Sequence, residues 1–295
     1  MNLTIKNHYI PCFWTAFWNP DYLNSKRNGN NAIDSPREIK IFALNLKSNK
    51  IIEQKTKKVF FEKGAGIDNL TKEDLYAAHK RAYPEKYKVE NNYFEKYPSG
   101  LTFDFESHFT SFEESYKTTL EKAIVNCKIE NIIDKFSISM FVFFQTKMNH
   151  NSFNKMESLY KSKNLTKLEM FLHLKQTLSQ PETLKEITDP FLKAEWSLYK
   201  TKKEIFPMSD NPVLFRPKHV FLPLAPDLLL EINLNNSVSP DNICTNYEHL
   251  PFFKYREFKK RTIENSSREI VFGKQNLLKN WQNSDTYKRH LKNNL

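Results

Sequence analysis

Phe105 to Cys127 reads FESHFTSFEESYKTTLEKAIVNC, and in it Phe105, Phe109, Phe112, Tyr116, Leu120, Ala123, Ile124 and Cys127 recur at spacings of three and four. That period puts them on one stripe of a helix and predicts a helix with a single buried face. Downstream, Ile132 to Met148 predicts a second, more apolar helix and Thr166 to Leu178 a third, with a polar Asn/Lys/Ser-rich join between them. Residues 66–190 therefore read as a helical middle.

The flanks read differently. From Arg37 to Phe61 (REIKIFALNLKSNKIIEQKTKKVFF) apolar and polar residues alternate around a polar centre, as in an antiparallel hairpin. Residues 19–36, rich in Asn, Ser, Gly and Pro, are expected to form an exposed loop. After Pro190, short apolar runs at Trp196–Tyr199, Glu204–Met208, Val220–Leu224 and Leu228–Ile232 alternate with Lys, Asp-Asn-Pro and Pro-Asp punctuation, which predicts a second group of strands. A closing helix is expected from Phe253 to Ile270, with Gly273 at its end. The predicted class is α+β. Antiparallel strands from the N-terminal part (1–65) and the C-terminal part (191–295) surround the helical middle, in one domain over 1–295.

Composition sets the outer limits. With 295 residues, 14% of them aromatic and 24 of them Phe, the chain has ample core material and needs no metal or disulfide staple. Cys12, Cys127 and Cys244 stand far apart without zinc-type spacing, so a reducing, cytoplasmic setting is expected. The N-terminal MNLTIKNHYIPCFW lacks a signal-peptide core, and the most apolar stretch, Ile138–Phe144, is far shorter than the ~20 residues of a membrane-spanning helix. The net charge is +11, and residues 251–295 hold eleven Lys/Arg against four Asp/Glu, a local balance of +7 that attracts polyanions. Only five glycines are present, and no Walker loop, GxGxxG, GxSxG, HExxH or deaminase motif can be read. This argues against P-loop, Rossmann, α/β-hydrolase and simple zinc-hydrolase chemistry.

Three clusters can carry chemistry. His8-Tyr9-Ile10-Pro11 places a histidine beside a rigid turn and ahead of Phe13, Trp14 and Phe17, where it can act as an acid, a base or a ligand, or else cap an aromatic segment. Met208-Ser209-Asp210-Asn211-Pro212 ends an apolar run. It is either an Asx turn or a carboxylate and an amide presented to a cleft. Glu113, Glu114 and Glu121 lie on the polar side of the first long helix, where most carboxylates form exposed pairs.

These motifs, together with Trp196, Ser209-Asp210-Asn211-Pro212-Val213 and Leu222-Pro223-Leu224-Ala225-Pro226, resemble in order and spacing the bacterial family of domain of unknown function 4238. The resemblance runs over nearly the whole chain and marks His8, Glu113, Ser209, Asp210 and Asn211 as functional. The family carries an Arg shortly after the Gln of its apolar helix. Here Gln145 is followed by Thr146-Lys147-Met148, so an anion-binding role passes to Lys147, without the planar fork of Arg. The Asn early in the family's final helix has no equivalent.

The family implies no activity. The expected function is a nucleic-acid hydrolase, RNA being one substrate, with His8, Glu113, Asp210 and Asn211 as its site and a divalent metal such as Mg²⁺ suited to the carboxylates. Tyr9, Gln145, Lys147, Ser209, Lys259 and Arg261 are the expected substrate contacts. The alternatives are a non-catalytic nucleic-acid-binding module, using Lys254, Arg256, Lys259, Lys260, Arg261 and Arg268, or an interaction component of a bacterial defence or regulatory system.

Overall fold

The computed structural model describes residues 6–8, 10–30, 35–63, 67–85, 93–148, 150–216 and 218–294, and it is an α+β protein. The chain divides into two compact units, each assembled from separate segments: residues 1–7, 62–111 and 151–185 in one, 8–61, 112–150 and 186–295 in the other. Short strands β1 (Lys6–His8) and β4 (Phe61–Lys63) pair with each other.

In the first unit β5 (Ile67–Thr71) runs antiparallel to β6 (Gly100–Asp104), Ile67 opposite Asp104. Helix Lys72–Ala82 leaves β5 through a capping box. The Thr71 hydroxyl accepts from the Asp74 N–H, and Asp74 accepts from the Thr71 N–H. Thr166 and Glu169 repeat the device at helix Lys167–Ser179. Glu169 also takes a two-point contact from Arg81 at 2.7 and 2.8 Å, so one carboxylate caps one helix and clamps another. The polar join expected before this helix contains helix His150–Ser162 instead. Its Phe153, Met156 and Tyr160 recur at helical spacing, and Phe153 is buried.

Among the described residues the second unit holds a four-stranded and a five-stranded sheet. β2 (Lys40–Asn45) and β3 (Lys50–Lys55) form the expected hairpin, Lys40 opposite Lys55, with Asn49 turning the chain at φ 53°. The other edge of β2 takes β13 (Glu269–Phe272), which pairs on to β8 (Met208–Ser209), all antiparallel. This corrects the closing helix, which spans Phe252–Asn265 and stops before Ile270. Ile270, Val271 and Phe272 are wholly buried as strand residues, because β-branched and aromatic side chains pack well in a sheet interior. Gly273 serves close approach rather than a helix end, since a Cβ there would stand 2.0 Å from the Trp18 carbonyl oxygen. The expected loop over 19–36 contains helix Pro20–Arg27, because Asn19 caps it by accepting from the Tyr22 N–H and Pro20 opens it.

The larger sheet comprises β7 (Ala194–Lys200), β9 (Leu214–Arg216), β10 (His219–Ala225), β11 (Leu228–Ser237) and β12 (Thr245–Tyr247) in the order β12-β7-β11-β10-β9. β12 lies parallel to β7, and the other pairs are antiparallel. Register puts Trp196, Leu198, Val220, Leu222, Leu230 and Ile232 on one face, all buried. The two helices read most firmly from the sequence, Phe105–Asn126 and Ile132–Met148, contribute Tyr116, Leu120, Ala123, Ile124, Ile138 and Phe141 to the core. Trp14 packs edge-on to Phe141 at 4.8 Å and donates its indole N–H to the Leu224 carbonyl, tying β10 to that core. At the β10–β11 turn Asp227 takes two bonds from Arg27, at 2.7 and 3.0 Å.

Candidate functional site

The opposite face of the larger sheet is polar. Because Glu231 stands opposite Phe221 and Ser197, and Asn233 opposite His219 and Glu195, the period-two alternation lines these side chains up with Tyr199 on one surface. Arg216 sits across from His219 on β9, and Tyr247 beside Tyr199 on β12. Helix Phe252–Asn265 adds Phe253, Lys254 and Glu257 as one wall, and the enclosed cleft is about 190 Å³.

Glu231 lies at its floor, 4% exposed. A buried carboxylate persists only when its oxygens are engaged, and both are. Oε2 accepts from the Tyr199 hydroxyl at 2.9 Å and from the Lys254 ammonium at 2.5 Å, and the same ammonium donates to the Tyr199 oxygen at 2.6 Å. Oε1 faces His219 Nδ1 at 3.2 Å. A carboxylate can only accept, so Nδ1 is the donor to it, and in the neutral form of the ring Nε2 is the acceptor. The Asn235 amide donates to that nitrogen at 3.2 Å. Tyr247 stacks on Tyr199 with ring centres 5.1 Å apart.

Burial pulls the Lys254 pKa down, but its hydrogen bonds to Glu231 and Tyr199 and the attraction of the Glu231 charge outweigh this and hold it above the ordinary lysine value. Lys254 is therefore a fixed cation at neutral pH. Burial likewise pushes the Tyr199 phenol up, so it stays a neutral donor to Glu231. The resulting assembly is a carboxylate with a histidine on one oxygen and a cation on the other, both facing a small cleft rimmed by Arg216. It can accept a proton at His219 Nε2 and stabilise negative charge beside it.

The residues singled out from the sequence are distributed otherwise. Asp210, also 4% exposed, accepts the Ser267 N–H at 3.0 Å, the Arg268 N–H at 2.9 Å and the Ser267 hydroxyl, while its own N–H donates to the Glu269 carbonyl. Ser209 is buried and bonds the backbone of Asn211 in both directions. Ser209, Asp210 and Asn211 thus stand together as a corner that fastens β8 to the start of β13. The Asp210 carboxylate, expected from the sequence to do acid–base or metal work, is held here by main-chain and hydroxyl donors.

His8 lies on β1 and Glu113 on helix Phe105–Asn126, but their side chains, and Tyr9 altogether, fall outside the described residues. Gln145 is buried in helix Ile132–Met148, and Lys147 is exposed with its ammonium 5.6 Å from the Phe143 ring. Lys259 sits over the Trp281 ring at 5.2 Å, with burial lowering its pKa, and Arg261 Nε pairs with Glu257 at 2.9 Å. Both are engaged by their own chain.

His219, Glu231, Tyr199 and Lys254 do not stand out in the sequence as a site. The signal that could have found them is a charged residue inside an apolar strand run, Glu231 within Leu228-Leu229-Leu230-Glu231-Ile232. Among the described residues no three His, Cys, Asp or Glu are grouped so as to hold a metal ion, and no helix is long and apolar enough to cross a membrane. No family model, curated protein or solved structure matches the chain.

Proposed function

We propose that the protein cleaves RNA by transesterification at the Glu231 cleft. The observation that carries this reading is the arrangement around the one carboxylate, with the His219 dyad on Oε1 and the Lys254–Tyr199 pair on Oε2, both lining the same cleft. In the proposed step the exposed Asn235 amide gives up its bond to His219 Nε2, and a ribose 2′-hydroxyl gives its proton to that nitrogen as its oxygen bonds to the adjacent phosphorus. The bond from phosphorus to the 5′ oxygen breaks, and that oxygen takes a proton from water.

The products are a cyclic phosphodiester and a free 5′-hydroxyl, and His219 then returns its proton to solvent. Glu231 fixes the tautomer and balances the imidazolium, a role that an acidic partner of a catalytic histidine commonly fills. Lys254 spends two of its three N–H groups on Glu231 and Tyr199, which leaves one for the phosphoryl oxygens, and Arg216 lines the same cleft. The +7 balance of residues 251–295 favours a polyanionic substrate.

The test is a single-stranded RNA with one deoxyribose placed at a cut position, incubated with the enzyme in EDTA. Cleavage is expected at every ribose position used by the enzyme except the substituted one, with cyclic phosphate ends and no loss in EDTA, since only protein groups act in the step. Cleavage at the deoxyribose would overturn the proposal.

A further inference from the structure

We infer that the groove between helix Phe252–Asn265 and helix Asp285–Asn294 is the track along which a single-stranded RNA reaches the cleft. This inference rests on the RNA-cleavage reading above. The cleft, at about 190 Å³, is smaller than the ~300 Å³ at the low end of small-molecule sites, so it has room for one reacting linkage and not for the nucleotides around it. The groove measures about 750 Å³, and Phe253 lines both spaces.

The groove wall is suited to a nucleic-acid strand in two ways. Arg256 and Arg289 line it with exposed guanidinium groups, and among the described residues neither is within ion-pair distance of a carboxylate. The acids of the same wall are neutralised within the chain: Glu257 by Arg261 at 2.9 Å, and Glu264 by Lys260 and Arg261 at 3.7 Å each. The positive charge left over is that of Arg256 and Arg289. Phe253, 68% exposed, lines the groove, and its neighbour Phe252, 73% exposed, has the Arg256 guanidinium 5.9 Å from its ring centre. Exposed aromatic faces beside guanidinium groups stack on unpaired bases, which a duplex keeps within its own stack.

A fluorescent oligouridylate carrying 2′-O-methyl groups throughout cannot be cut by the proposed step, so its binding can be followed by anisotropy without turnover. The wild-type protein should bind this strand more tightly than a hairpin duplex of the same length. Replacing Arg256 and Arg289 together by Ala should weaken binding and reduce the slope of log affinity on log salt by about 1.4, or ~0.7 for each single-strand phosphate that is no longer neutralised. Phe253→Ala should weaken binding roughly tenfold with the slope unchanged. No binding by wild type, equal affinity for the duplex, or variants with wild-type affinity and slope would each overturn the track. The two proposals fail separately: a wild type that binds in this way but leaves cleavable RNA intact keeps the track and ends the catalytic reading, and a wild type that cuts while the variants bind normally does the reverse.

Discussion

Asp210 and Glu231 are two carboxylates of the same unit, equally buried at 4% exposure, and they differ in who holds them. Asp210 is gripped by two main-chain N–H groups and a hydroxyl from one neighbouring turn, all fixed by the fold and none able to change charge near neutral pH. Glu231 is gripped by His219, Tyr199 and Lys254, side chains that carry or move protons and line a cleft. Equal burial therefore supports opposite roles: main-chain partners make a carboxylate a fastener, and titratable partners at a cleft make one a chemical device.

The comparison is broken most easily by activity. His219→Ala should lower RNA cleavage by about 10²- to 10⁴-fold, the usual worth of a general base, and should lower the urea midpoint less than the loss of Asp210 does, since it leaves one Glu231 oxygen without its partner at a cost of about 1 kcal/mol. Asp210→Ala should do the opposite. It removes the acceptor of the Ser267 and Arg268 donors at a cost of roughly 2 kcal/mol, seen as a lower urea midpoint at unchanged slope.

Acidity sharpens the same contrast. Burial, opposed by the bonds from Ser267 and Arg268, leaves the Asp210 pKa above the ordinary aspartate value. A group raised on folding stabilises most below its unfolded pKa, ~3.9 for Asp, and that contribution fades as pH rises through the folded value. The stability advantage of wild type over Asp210→Asn should accordingly be larger at low pH and shrink toward neutrality; a gap that widens with pH would reverse the assignment. The smallest effect belongs to Asn235→Ala. It removes only the exposed amide facing His219 Nε2, and it should change kcat/KM by less than about threefold, well under one charged hydrogen bond.

Much of the fold is legible because its signals are local. The three- and four-residue spacing along Phe105–Cys127 and Ile132–Met148, and the alternation through Lys40–Lys55, are written within single elements, and those elements form as expected. Glu269–Phe272 does not read as a strand because its strand character comes from pairing with β2, over two hundred residues earlier. Pro20–Arg27 does not read as a helix because its Asn and Pro serve as cap and first turn, a use that composition does not separate from loop chemistry.

The site is less legible for the same physical reason. Ser209-Asp210-Asn211-Pro212 stands out in sequence because turn-forming residues are chemically conspicuous, and a corner is what they build. The cleft depends on register: Glu231 meets His219 twelve residues away, Lys254 twenty-three and Tyr199 thirty-two. Only the pairing of three strands and the docking of one helix bring them together.

The most direct test of the account compares wild type, His219→Ala and Asp210→Asn, each shown to be folded, on one single-stranded RNA under identical conditions. Chemistry at the Glu231 cleft predicts that wild type and Asp210→Asn cut at similar rates and His219→Ala does not. A His219→Ala protein that cuts like wild type, or a folded Asp210→Asn protein that is inactive, would contradict it.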